Sequence, residues 1–164
     1  MNETQQAKLD AFTHVIAELD RLLKTVPEEG LDWAKSEDEW SIRQVIHHLA
    51  DDGNVYTFII ERGLATPDCK VFFGGFPGNE AWAERLDFDQ RPIEPALDLM
   101  HAQRAFLVEL IARFPDRWEN KVGYYNESGE KMAERTVAEM IGMLTEHMQE
   151  HIQMIENILD NREK

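Results

Sequence analysis

Apolar side chains recur every three or four residues in four separate segments of the chain, a period that places them on one face of an α-helix. Two of these segments open with the pattern of a capping box, Ser41 with Gln44 and Thr136 with Glu139. Four amphipathic helices predict an all-α, four-helix bundle that forms a single domain over residues 1–164. The predicted helices cover Thr4–Val26, Trp40–Gly63, Pro95–Phe114 and Thr136–Leu159.

Two connections stand out between these segments. The stretch from residue 66 to residue 92 is long and irregular, since Gly74, Gly75, Pro77 and Gly78 interrupt any regular pattern. A connection of this length is usually functional, so we expect a crossover that serves as a lid or wall. Before the last helix, residues 121–125 and 130–132 flank a turn at 126–129, which predicts a small β-hairpin.

Composition and charge narrow the classes of function. The chain is 43% hydrophobic, enough to bury a core, and it carries 17 basic against 32 acidic residues, a formal net charge of −15. Such a surplus disfavours nucleic acids and anionic membrane surfaces as partners. Neither a span of twenty apolar residues nor a signal peptide is evident, and Cys69 is the only cysteine. We therefore expect a reducing, cytoplasmic setting.

The helical phase separates the six histidines. A helix turns about 100° per residue, so each ring can be placed relative to the centre of its apolar stripe. His147 and His151 point inward and, being four residues apart, stack on one face. His48 lies at the edge of its stripe, where it can reach the core. Outside this set, His14 and His47 are predicted to face solvent and His101 to flank its stripe.

Two imidazoles on an apolar face leave polar nitrogens to satisfy, and a metal ion satisfies both by taking one lone pair from each ring. With His48 added, three neutral imidazoles describe an open, zinc-type site, although nickel, iron or copper suits the same donors. Asp51 and Asp52 are candidates to orient the rings. The alternative for Asp52 is a helix-end charge that meets only solvent.

Several runs resemble the DinB/YfiT-like superfamily of metal-dependent enzymes. Trp40–Asp51 is similar to the signature of the family's second helix, and Glu146–Ile152 to the HxxxH of its last helix. Asn79–Glu84 resembles the EAW segment, and Gly123–Thr136 the ribbon before the last helix. Because these runs keep the family's order, the resemblance extends over most of the chain.

The resemblance implies a helical bundle whose divalent ion, zinc or nickel first, is held by His48, His147 and His151. Within the family, the chain is most similar to the bacillithiol-transferase-like branch. This implies a homodimer that acts with a small-molecule substrate, a low-molecular-weight thiol. A metal-dependent hydrolase and a non-catalytic, metal-stabilised binding module remain as alternatives. The aromatic side chains expected to line the pocket, unless they are ordinary core residues, are Trp40, Trp82 and Tyr124.

Overall fold

A computed structural model of the protein describes residues 1–162. Its four long helices confirm the predicted bundle, with ends that differ from the expected positions by a few residues. The long helices are α1 (Glu3–Leu23), α2 (Ile42–Ala65), α4 (Glu94–Arg113) and α5 (Val137–Arg162). α2 packs against both α4 and α5, and α1 packs against the same two helices.

Local hydrogen bonds explain where the helices begin. Both predicted capping boxes form: Ser41 exchanges backbone and side-chain hydrogen bonds with Gln44, and Thr136 does so with Glu139. A third box, Asn2 with Gln5, starts α1. Each box satisfies backbone N–H groups that a helix start would otherwise leave without partners.

The predicted crossover is more ordered than the sequence suggested. It contains a strand, β1 (Cys69–Phe73), and a short helix, α3 (Asn79–Arg85). Gly78 precedes α3 with a φ of 96°, a left-handed conformation that glycine adopts without steric cost. The expectation of an irregular stretch was therefore wrong for these two segments.

The predicted hairpin forms but belongs to a larger sheet. β2 (Lys121–Asn126) pairs antiparallel with β3 (Lys131–Thr136), which extends four residues beyond the expected Met132. β1 pairs with β2 in parallel, with Cys69 opposite Val122, so the strand order is β1-β2-β3. This pairing fastens the crossover to the end of the bundle.

Buried side chains form two clusters along the bundle. One surrounds Trp118 and the sheet, and the other lies between the helices around Ile46, Leu49 and Ile152. The second cluster borders the inward histidines, so the site described below has a packed apolar floor. Within residues 1–162, no helix combines the length and hydropathy that a membrane span requires.

Candidate metal centre

The two histidines of α5 lie on the face of that helix that meets the bundle interior. Leu144, Met148 and Ile152 are buried on the same face, and their packing fixes how the helix is rotated. His147 and His151 are consequently half-buried, with ring centroids 4.6 Å apart. The flanking Glu146 and Glu150 are exposed, as their phase predicts.

His48 on α2 meets this pair. Its Nε2 lies 3.3 Å from Nε2 of His147, which in turn lies 3.0 Å from Nε2 of His151. One ligand atom from each of the three residues lies within 4.8 Å of the others. The structure therefore brings together the three histidines that the sequence singled out, from two helices that are adjacent in the bundle.

Asp52, one turn after His48 on α2, faces the same cluster. Its Oδ2 lies 3.4 Å from Nδ1 of His147 and 3.7 Å from Nε2 of His48. Asp52 is thus next to the imidazoles rather than a charge at a helix end. A carboxylate at Nδ1 favours the tautomer with its proton there, which leaves Nε2 with a free lone pair.

The nitrogen positions fit a metal ion. If Nε2 of His147 carries only a lone pair, it can accept one good hydrogen bond, yet two further nitrogens lie within 3.3 Å of it. A cation bound at about 2.0–2.1 Å accommodates all three, because tetrahedral zinc places its nitrogen ligands about 3.3 Å apart. The donor set of three imidazoles suits zinc and nickel alike.

Burial favours the neutral form of two of the rings, His151 and His48. Burial, reinforced by His147 and His48, lowers the pKa of His151 to about 4. Burial also lowers the pKa of His48, against the opposing effect of Asp52. A neutral imidazole offers the lone pair that a metal requires, so these two rings need not lose a proton near neutral pH to bind one.

Two tryptophans tie α3 to the site. The ring of Trp40 packs edge-on against His48, with centroids 4.9 Å apart, and its Nε1 donates to Glu80 of α3 at 3.0 Å. The indole of Trp82, also on α3, donates to Asp51 at 2.6 Å. Asp51 therefore holds α3 through Trp82, whereas Trp40 packs directly against the ring of His48.

A groove of about 280 Å³ borders His147. Its lining combines Asp52 and Tyr56 of α2 with residues of α5. Burial and the nearby Asp52 raise the pKa of Tyr56, so its hydroxyl stays protonated and can donate. The residues from α5 are Met143, Leu144, Glu146, His147 and Glu150.

Comparison with known proteins places this site in a family. The family model of the DinB superfamily matches residues 11–155. The chain belongs to the DinB superfamily. The match covers His48, His147 and His151, so all three lie within the DinB domain.

Similar DinB-fold proteins carry names that refer to metal. Two relatives are each named "putative metal-dependent hydrolase". One, from Oceanobacillus iheyensis, is 28% identical over 160 residues, which cover 94% of this chain and 88% of the relative. The other, YfiT of Bacillus subtilis, is 22% identical over 152 residues, which cover 92% and 81%.

A solved structure also resembles this DinB chain. It is that of Bacillus subtilis YfiT, described as a probable metal-dependent hydrolase with an unusual four-helix bundle topology. The TM-score is 0.82 at 20% identity, and the match covers 99% of this chain and 89% of YfiT. The likeness establishes the bundle fold.

Two placements in this DinB bundle correct the sequence analysis. Tyr124 is a core residue whose hydroxyl donates to Sδ of Met140, and like Trp40 and Trp82 it is not among the residues that line the groove. His47, predicted to face solvent, is only 3% exposed; its Nε2 lies 3.3 Å from the carbonyl of Arg91, and its ring packs near Phe88. The crossover covers the back of α2 there.

Two further histidines lie outside the site of this DinB chain, and one groove residue was not predicted. His14 is exposed, as predicted, and His101 pairs with Asp20 at the surface. Sequence reasoning did not select Tyr56 as a groove residue. The signal was available, because Tyr56 follows Asp52 by four positions and His48 by eight, and so lies on the same face of α2.

Proposed function

We propose that this protein is a divalent-metal-dependent enzyme with His48, His147 and His151 as the metal ligands, and that it transfers a low-molecular-weight thiol. The observation that carries the proposal is the convergence of three Nε2 atoms, one of them from His147, which also lines a groove. The names of the two relatives support a metal-dependent enzyme, and the resemblance to the thiol-transferase branch supports the choice of substrate.

Chemically, a zinc or nickel ion supplies an acidic binding site at which a thiol loses its proton near neutral pH. In the transfer, the thiolate sulfur forms a bond to an electrophilic carbon. The leaving group departs with its bonding pair, and the thiol proton passes to solvent through the groove.

The residues of the chain bind and orient. The Tyr56 hydroxyl, protonated at neutral pH, donates a hydrogen bond to a polar group of the substrate, while Met143 and Leu144 offer apolar contact. Trp40, held by its hydrogen bond to Glu80 of α3, packs against one side of His48. We infer that substrate enters from the groove rather than past the crossover.

The charge of the groove narrows the choice of thiol. Asp52, Glu146 and Glu150 all line it, and no Lys or Arg side chain does so in the described part of the chain. Negative potential in a cleft attracts cations and repels anions. We infer that a thiol with an amino group is preferred over one with several carboxylates.

Metal analysis followed by a transfer assay tests this proposal. Purified protein should contain about one zinc or nickel ion per chain. Disappearance of thiol, in the presence of an alkylating electrophile, should be faster than the uncatalysed reaction. Cysteamine should outperform a dicarboxylated thiol of similar size. Metal-free wild-type protein, or metal-loaded protein without transfer activity for any thiol, would contradict the proposal.

Hydrolysis is the second candidate, favoured by the names of the two relatives and by a groove that admits water. The same metal-loaded protein, given ester and amide substrates without thiol, distinguishes the two reactions. A purely structural metal would be closed by a fourth protein ligand. The ligand group found within residues 1–162 has three members, which favours an enzyme over a metal-stabilised binding module.

We also propose that the protein is a cytoplasmic homodimer. Val55 and Phe58 of α2 and Phe106 of α4 are large apolar side chains left exposed on two adjacent helices. Apolar surface of this kind is often covered by a partner subunit. Light scattering on the purified protein measures the assembly: a mass of one chain would contradict the dimer.

A further inference from the structure

A cavity of about 20 Å³ lies beside His147 and shares Asp52, Leu144 and His147 with the lining of the groove. Asp52 and His147 line it together with two polar residues of α4, Gln103 and Arg104. α4 supplies none of the three metal-binding histidines. The cavity is nevertheless the place where polar groups of α4 come close to the carboxylate that neighbours His147.

Arg104 is an unusual occupant of the bundle interior, since it is only 9% exposed. Its guanidinium stacks 4.0 Å above the Phe12 ring, donates to the Phe12 carbonyl at 2.8 Å and contacts Sδ of Met148. None of the ion pairs in residues 1–162 includes it. A guanidinium has five N–H donors, and the contacts with Phe12 and Met148 use two of them, so donors remain for a further partner.

Gln103 brings an acceptor to the same cavity. Its Nε2 donates to Asn54 at 2.9 Å, which fixes the amide, and its Oε1 is buried without a hydrogen-bond partner. The amide fits there because residue 53 is glycine. A Cβ on Gly53 would lie 2.6 Å from Oε1. A buried carbonyl oxygen without a donor is costly, which points to a group that the cavity receives.

We propose, on the basis of the proposed metal site, that this cavity holds one buried water that links Arg104 to Asp52. The water accepts a hydrogen bond from Arg104 and donates to Oε1 of Gln103 and to the Asp52 carboxylate. Arg104 is thereby a positioning residue: it holds Asp52 against Nδ1 of His147 and so keeps the Nε2 lone pair directed at the ion.

Size and chemistry both match a single water. A site needs roughly 10–15 Å³ and two to four polar partners to hold one, and the cavity meets both conditions. The surroundings also supply complementary charge, a guanidinium at one partner and a carboxylate at another. The protonated state of Arg104 is retained at neutral pH, although burial lowers its pKa to about 10.

Arg104→Met tests the link, with Arg117→Met as the matched control. Arg117 also stacks on an aromatic ring, that of Phe114, and donates to a backbone carbonyl, but it does not line the cavity. We expect Arg104→Met to raise the Kd for Zn²⁺ about tenfold, the lower end of the effect for groups that orient a ligand. Arg104→Lys should recover part of it, and Arg117→Met should leave Kd unchanged.

The tautomer of His147 in metal-free protein provides a readout that a merely structural role would not move. Imidazole ¹⁵N shifts should show the proton on Nδ1 in the wild type and a mixture of tautomers in Arg104→Met. An unchanged tautomer together with an unchanged Kd would overturn the proposal. Because this measurement uses no metal, it tests the link even if wild-type protein binds no Zn²⁺, which would contradict the proposed function instead.

A crystal structure of the wild type at high resolution covers the case in which Arg104→Met does not fold. It should show one ordered water within hydrogen-bond distance of Arg104, Gln103 and Asp52. A dry cavity would overturn the proposal.

Discussion

Replacing His47 and His48 by alanine, one at a time, separates a structural histidine from a proposed metal ligand. His47→Ala removes a ring that is almost fully buried near Phe88 and its polar contact with the Arg91 carbonyl. The lost hydrogen bond costs about 1 kcal/mol, and the lost burial adds about 1–2 kcal/mol. For a chain of this length, the sum lowers Tm by roughly 4–12 °C.

The metal content should depend on His48 and not on His47. His47→Ala should keep the metal of the wild type, because its ring faces the crossover and not His147. His48→Ala should lose the metal and destabilise the metal-free fold less than His47→Ala does. Thermal unfolding of the metal-free proteins and elemental analysis of both variants measure these effects. Loss of metal in His47→Ala with full retention in His48→Ala would refute the assignment of ligands.

Three further variants or conditions test the site and its surroundings. Asp52→Asn should weaken Zn²⁺ binding about 10–100-fold in a competition titration, whereas Asp51→Asn should leave affinity unchanged and alter only the fluorescence of Trp82. Tyr124→Phe should leave metal content and activity unchanged. It should lower the free energy of unfolding in urea by about 1 kcal/mol, since the variant loses the hydrogen bond to Met140. Loss of activity would indicate that Tyr124 contacts the substrate after all. The pKa of His151 is about 4 in the folded protein and 6.5 in the unfolded chain. Between these two pH values, the unfolded chain binds more protons than the folded protein. The metal-free protein should therefore keep its full stability above pH 6.5 and lose stability as the pH falls towards 4. The urea midpoint should fall more for the wild type than for His151→Ala between pH 7.5 and pH 5. An equal fall in both proteins would contradict the contribution of His151.

The bundle and the inward pair His147 and His151 could be predicted because both depend on the helical period, whereas the choice of His48, at the edge of its stripe, was also supported by the family resemblance. Apolar residues at three- and four-residue steps fix the inner face of each helix, and His147 and His151 share the face of Leu144 and Met148. The spacing of Asp52 and His48, one turn apart, similarly anticipates their proximity.

The period could not reveal what covers the outer face of a helix. His47 points away from the apolar stripe of α2, yet the segment containing Phe88 and Arg91 packs over it, a contact between residues more than forty positions apart. The same limit applies to β1, which is short and finds its parallel partner β2 about fifty residues later. Distant pairing of this kind leaves no local pattern in the chain.

The histidines that meet in this bundle come from its two halves: His48 and His147 are 99 residues apart in sequence. All three rings can bind one ion only after α5 has packed against α2. The proposed metal site is therefore completed late in folding. A cation that binds there would link α2 to α5 and so stabilise the folded state. At a free concentration one hundred times its Kd, it would add about 2.7 kcal/mol to stability. The supply of metal would then set part of the stability of the folded protein.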